Sequence, residues 1–223
     1  REHMDFYKSM DDLKNYFIQF IEKVPSFGKS FICIDDKINN ELVKKLKSQN
    51  FYTYGTNIKS NFLIKNIKQN KKYTEFDLQV NVPNKKKLSI KSIKIPLLGI
   101  HNVRNSVAAA AVSLTVGISI FDIKKGLLNF GGVQRRFNKI FTYNNIDYAH
   151  HPTEIKVVLE GVSTVYNGYD KVCIFQPHRI SRLKDLRKSF SFAFQKADMV
   201  VLCPIYTAGE KIKLKFSYLN FAK

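Results

Sequence analysis

Several short segments of this chain combine residue types that can do chemistry. Glu2-His3-Met4-Asp5 sets an imidazole among carboxylates just ahead of an amphipathic helix. Such a histidine can ligate a divalent cation, or it can simply cap the helix. In His101-Asn102-Val103-Arg104-Asn105 the two asparagines are three apart and share a face of the first helical turn. Each amide presents a donor and an acceptor together, as an adenine edge requires, although asparagine also serves as an N-cap. Gln134-Arg135-Arg136-Phe137 offers a guanidinium able to grip a phosphate through two parallel hydrogen bonds, the alternative being a solvated basic pair. Phe175-Gln176-Pro177-His178-Arg179-Ile180-Ser181-Arg182 follows an apolar strand with a proline break. That is where open α/β sheets bind ligands, and Arg179 and Arg182 at i, i+3 can meet one anion together. Tyr206-Thr207-Ala208-Gly209-Glu210, past the next strand, lines the same edge.

Asp147-Tyr148-Ala149-His150-His151-Pro152 uses two of the five histidines side by side. Adjacent residues on a strand point to opposite sides, so a two-histidine metal site is not the natural reading. His151 and Pro152 read instead as the turn into a helix that starts at Pro152 or Thr153.

Periodicity supplies the elements that must position these groups. Residues 10–24 place Met10, Leu13, Phe17, Phe20, Ile21 and Val24 at helical spacing, with Pro25 as a stop. A strand (SFICID), a helix over 38–50 with Leu42, Val43 and Leu46 on one face, and a short FYTYG strand follow. From 60 to 96 the period changes to two in three runs, which reads as an antiparallel addition to an α/β core. An alanine-rich helix closes at Gly117, and another opens at Ser119 or Asp122. KIFTY and IDYAH suggest a hairpin with an Asn144-Asn145 turn. Beyond it, a helix from 152, a strand (KVCIF), one helix over 181–197 and a strand (VVLCP) alternate as a parallel βαβ unit. The domain boundary falls near residues 131–134. Gly28-Lys29-Ser30 mimics the tail of a P-loop, but a helix precedes it and a strand follows, the reverse of a P-loop.

The net charge is +19. The lysines are dispersed among Asn, Ile and Tyr and form no recognition box, which argues against a nucleic-acid partner. No apolar run is long enough to span a membrane, and no signal peptide is visible. Cys33, Cys173 and Cys203 lie apart in apolar strands, fitting a reducing cytoplasm and no disulfide framework. The opening REHMD and the closing strand without its covering helix lead us to expect a fragment cut at both ends.

Together these segments resemble one family, the Mur ligases, ATP-dependent amide-forming enzymes of peptidoglycan synthesis. The likeness runs from Glu2 to Glu210 through the EHMD, HN-x-x-N, RRF, DY-x-HHPTE and PHR-x-SR stretches in order. Ala149, where glycine is usual, and Asn138, where an acidic residue usually follows RRF, depart from the pattern.

The resemblance implies an α/β fold in two parts: residues 1–133 as a partial central ATPase domain with a mixed sheet, and 134–223 as a partial Rossmann-like domain with a parallel sheet. It implies ATP and Mg²⁺ as cofactors, His3 as a metal ligand, and His101, Asn102 and Asn105 in the ATP site. Arg136 would reach the nucleotide phosphates, and Asp147 the ribose or its surroundings. Tyr148, His150, His178, Arg179 and Arg182 would form the pocket for the amino acid and the muramyl carboxylate, with Arg136, His150 and His178 as the catalytic set. The implied reaction joins UDP-N-acetylmuramate to L-alanine through an acyl phosphate in the cytoplasm. The UDP-binding domain, the P-loop lysine and the glutamate that shares the metal with His3 are not in this chain, so it is expected to be inactive alone. A murein tripeptide-recycling ligase is the alternative within the family, but it lacks the PHR-x-SR segment. A basic nucleic-acid-binding module and a degenerate homologue are the alternatives outside it.

Overall fold

The computed structural model describes residues 6–133, 138–139, 145–146 and 149–210. The chain divides into two compact units, Arg1–Lys68 with Tyr73–Pro96 and Asn102–Phe130, and Gln69–Lys72 with Leu97–His101 and Gly131–Lys223.

In the first unit, α1 (Met10–Glu22) starts at Ser9, whose side chain accepts from the Asp12 N–H. Ile18 and Ile21 pack on Ile32, Leu42 and Leu46. This turns Phe17 and Phe20 outward, at 52% and 74% exposure, so the apolar stripe expected from spacing is rotated by about one residue, roughly 100°. Strand β1 (Ser30–Cys33) leads to α2 (Lys37–Val43), which Asp36 caps by accepting from the N–H groups of Ile38 and Asn39. The helix ends at Val43, well short of residue 50. The Lys45 and Leu46 N–H groups then turn back to Leu42 and Val43, so Leu46 reaches the core without helical continuation.

Strands β2 (Phe51–Gly55), β3 (Phe62–Gln69), β4 (Thr74–Val80) and β5 (Leu88–Ile95) complete a five-stranded mixed sheet in the order β1-β2-β3-β4-β5. β1 runs parallel to β2, and β2 parallel to β3 through Tyr54–Phe62 and Gly55–Leu63, whereas β4 and β5 are antiparallel. The antiparallel addition expected over 60–96 therefore joins the parallel strands through β3. Alternation reports which faces are wet and says nothing about the direction of the neighbouring strand.

A register shift between Phe76 and Leu78 brings Asp77 under a cluster of donors. It accepts from Asn66 Nδ2 at 2.7 Å, Lys91 Nζ at 3.1 Å and the Ser92 N–H at 2.9 Å. Asn66 and Ser92 both carry positive φ, and the carboxylate satisfies both residues. These bonds, the Asn66 amide first, hold the Asp77 carboxyl down at about 2.

Helix α3 (Ile100–Thr115) buries Val103, Val107, Ala110 and Ala111. It ends in a Schellman arrangement: Gly117 donates to Leu114 and Ile118 to Ser113, with Gly117 at φ +89. Ser119 caps α4 (Ile120–Asn129), which packs on β5.

In the second unit, β6 (Asn138–Lys139) pairs antiparallel with β7 (Asn145–Ile146). Asn145, expected in an Asn144-Asn145 turn, is a strand residue paired with Lys139, and Asn144 lies outside the described residues. Helix α5 (Pro152–Val165) precedes a parallel pair, β8 (Val172–Phe175) and β9 (Met199–Leu202). The single helix expected over 181–197 is two, α6 (Ile180–Asp185) and α7 (Arg187–Ala193), broken at Leu186 with φ −111 and ψ 16. The break lets Leu183, Leu186 and Phe190 all face one core with Ile155, Leu159 and Phe175.

Candidate functional site

The second unit gathers its polar side chains beyond the carboxyl ends of β8 and β9. Pro177 lies two residues past β8 and is fully buried, while the Tyr206 and Arg179 N–H groups donate to Pro177 and Tyr206 oxygens respectively, both at 2.9 Å. This ladder joins His178 to Tyr206 in a parallel bridge, so the two segments after the strands run side by side. Arg179 follows with φ +67 and ψ 131, a conformation that costs a non-glycine residue about 1–3 kcal/mol.

What holds that strained residue is Glu210. One carboxylate oxygen accepts from the Ile180 N–H at 2.8 Å and the Ser181 N–H at 3.1 Å, and the other from Ser181 Oγ at 2.5 Å. Burial alone would raise the Glu210 carboxyl, but these bonds and the charge of Arg179 outweigh it and hold the group below its ordinary value. The first N–H groups of α6 are thus taken by protein, which leaves ligand recognition to the side chains.

Those side chains form one cluster. The rings of His150 and His178 lie 5.5 Å apart, and His178 and Tyr206 lie 5.4 Å apart. Arg182 Nη1 is 3.2 Å from His178 Nδ1. Burial first, then the charges of Arg182, His150 and Arg179, push the His178 imidazole below its usual value, with Glu210 opposing them. His150 is fixed from behind, since Glu154 Oε2 accepts from the His150 and His151 N–H groups, both at 3.1 Å. His151 is the N-cap of α5, its Nδ1 accepting from the Thr153 N–H at 3.3 Å, and Pro152 is the first helical residue.

Of the expected site residues, the structure brings together His150, His178, Arg179 and Arg182. His101, Asn102 and Asn105 lie on the first turns of α3, with Asn102 half-buried and Asn105 exposed, so both amides are accessible. The helix begins at Ile100, which rules out either asparagine as the N-cap. Gly99 has φ +91, and a Cβ there would meet His101 Cε1 at 2.6 Å, so only glycine lets that ring fold back. His3, Arg136, Asp147 and Tyr148 lie outside the described residues. Among the described residues no group of three or more His, Cys, Asp or Glu side chains is placed to hold a metal ion. None of the helices described is long and apolar enough to cross a membrane.

Two residues of consequence escape sequence reasoning. One is Glu210, seen there only as lining the strand edge. The other is Asp35, at the end of β1. Its Oδ1 accepts from the Thr56 and Asn57 N–H groups at 2.7 and 3.0 Å, and its Oδ2 from Arg104 Nε at 2.8 Å. Arg104 sits between Asn102 and Asn105, so Asp35 ties the accessible face of α3 to the loop after β2.

Residues 1–113 match the Mur ligase middle domain. The chain belongs to the Mur ligase family. It is 68% identical over its whole length to the UDP-N-acetylmuramate–L-alanine ligase of Pelagibacter ubique, of which it covers 49%. It is 38% identical to the ligase of that name from Brucella abortus, over 94% of this chain and 46% of the relative. The solved UDP-N-acetylmuramate-alanine ligase of Thermotoga maritima superposes with a TM-score of 0.70 at 26% identity, over 93% of this chain and 44% of that one. The chain therefore spans about half the length of the relatives it matches.

Proposed function

We propose that this chain is the portion of a UDP-N-acetylmuramate–L-alanine ligase that carries part of its central ATPase domain, residues 1–133, and part of its C-terminal domain, residues 134–223. The observation that carries this reading is the 68% identity, over the whole chain, to a ligase of that name. The substrates would be UDP-N-acetylmuramate, L-alanine and ATP, and the reaction would take place in the cytoplasm.

Within that reading the chain's own residues divide the work. The amides of Asn102 and Asn105 suit an adenine edge, because each offers a donor and an acceptor on an accessible helical face. ATP supplies the phosphoryl group that activates the muramyl carboxylate. Arg179 and Arg182 supply positive charge where the carboxylate and the departing phosphate concentrate negative charge. His150 and His178 line the same cluster. Tyr148 is expected in that pocket, Arg136 at the nucleotide phosphates and Asp147 at the ribose, all three outside the described residues. Mg²⁺ is expected with ATP through His3, also outside the described residues, and no step is derived through that ion.

Thermal stability and turnover of the full-length protein carrying this segment test the proposal. UDP-N-acetylmuramate with a non-hydrolysable ATP analogue should raise its Tm. Phosphate release should require alanine. Release that ignores alanine but responds to a murein tripeptide would assign the recycling ligase instead.

A further inference from the structure

We propose that Arg182 fixes His178 in the tautomer that carries its hydrogen on Nε2, which makes His178 a hydrogen-bond donor to the substrate rather than a base. The role toward substrate rests on the ligase reading above. The tautomer does not.

The inference comes from what each partner can offer. A guanidinium has five N–H donors, no acceptor, and does not lose its proton in proteins. Arg182 Nη1 stands 3.2 Å from His178 Nδ1. That approach is a hydrogen bond only if Nδ1 presents a lone pair. A proton on Nδ1 would set two N–H groups against each other. With Nδ1 unprotonated, a neutral imidazole holds its one hydrogen on Nε2.

The surroundings favour the same state. From α6 and its cap come the positive charges of Arg182 and Arg179. From the approach to α5 comes His150, with its ring 5.5 Å away, and from beyond β9 come the Tyr206 ring at 5.4 Å and the Glu210 carboxylate. Burial and three of these groups oppose a second proton; among the described residues, Glu210 favours it while being occupied by the amides of α6. The geometry is also stiff. Arg182 lies on a helix whose first residues Glu210 holds, next to Leu183, which is 1% exposed.

The consequence for the reaction is specific. A general base needs a lone pair toward the proton it takes, and the lone pair of His178 is committed to Arg182. What remains is a neutral N–H donor suited to an anionic or developing-anionic oxygen.

Long-range ¹H–¹⁵N correlation spectra of the uniformly labelled full-length protein carrying this segment, recorded without substrate, read the tautomer of each histidine directly. His178 is assigned by the signals lost in His178→Gln. We expect unprotonated Nδ1 and protonated Nε2 in the wild type at neutral pH. In Arg182→Gln, which keeps a donor, the same tautomer persists. In Arg182→Met it gives way to a mixture, and the His178 pKa moves up toward its ordinary value. An Nδ1–H tautomer in the wild type, or a pure Nε2–H tautomer in Arg182→Met, would overturn the proposal. The readout needs no substrate, so a full-length protein lacking alanine-dependent activity would defeat the ligase reading and leave this result intact.

Discussion

Asp35 and Arg104 meet at 2.8 Å across 69 residues of sequence, with only 6% of the Asp35 side chain exposed. The carboxylate serves three donors at once, two of them backbone N–H groups of the loop after β2. Asp35→Ala strands all three and should cost about 3 kcal/mol in a denaturant titration. Arg104→Met leaves the carboxylate its two backbone donors and should cost about 1 kcal/mol. Equal losses would show that the ion pair, and not the loop, dominates. Gly55→Ala should be costly as well, because at φ +142 its Cβ would run into the Asp35 carboxylate.

Asp77 makes stability depend on acid. Its carboxyl titrates at about 2 in the folded chain against an ordinary value of 3.8, so the unfolded state binds the proton first as pH falls. The contribution is complete above 3.8 and is lost as the pH drops through about 2. Asp77→Asn should be less stable than wild type by about 2 kcal/mol at neutral pH. The gap should narrow in acid, as followed by circular dichroism from pH 7 downward.

The capping box of α5 separates the two adjacent histidines experimentally. His151→Ala removes the acceptor for the Thr153 N–H and should lower stability by about 1 kcal/mol, while His151→Asp should restore it. Loss of ligase turnover in His151→Asp without loss of Tm would place His151 in the chemistry instead.

How much of this was legible in the sequence depends on how far apart the partners are. His178, Arg179 and Arg182 follow a strand within five residues, so local sequence marks them as one group and pairs the two arginines, whereas the approach of Arg182 to His178 comes from the fold. Glu210 binds the start of α6 from 30 residues away, and no local pattern announces that contact. Asp35 is similar: an aspartate after a strand reads as a helix cap, a part that Asp36 takes. The helix break at Leu186 has no proline or glycine to signal it, because the apolar spacing of Leu183, Leu186 and Phe190 continues through it. Strand positions were readable from period two. The parallel pairing of β3 with β2 was not, since alternation carries no information about the partner strand.

Glu210→Gln in the full-length protein tests the link from scaffold to pocket. The amide keeps an acceptor but loses the charge that holds the N–H groups of Ile180 and Ser181. Arg179 and Arg182 should then lose their fixed placement, lowering kcat/KM for the amino acid by about tenfold, roughly 1.4 kcal/mol, with little change in Tm. A matching fall in Tm with kinetics intact would make Glu210 a purely structural residue.

The central claim is best tested by identifying a product. The full-length protein carrying this segment would be incubated with ATP, UDP-N-acetylmuramate and an equimolar mixture of alanine, glycine, serine and murein tripeptide, and the UDP-linked products read by mass spectrometry. UDP-N-acetylmuramoyl-alanine is the expected main product, depleted when Arg179→Ala replaces the wild type. No amino-acid adduct, or a tripeptide adduct in its place, would contradict it.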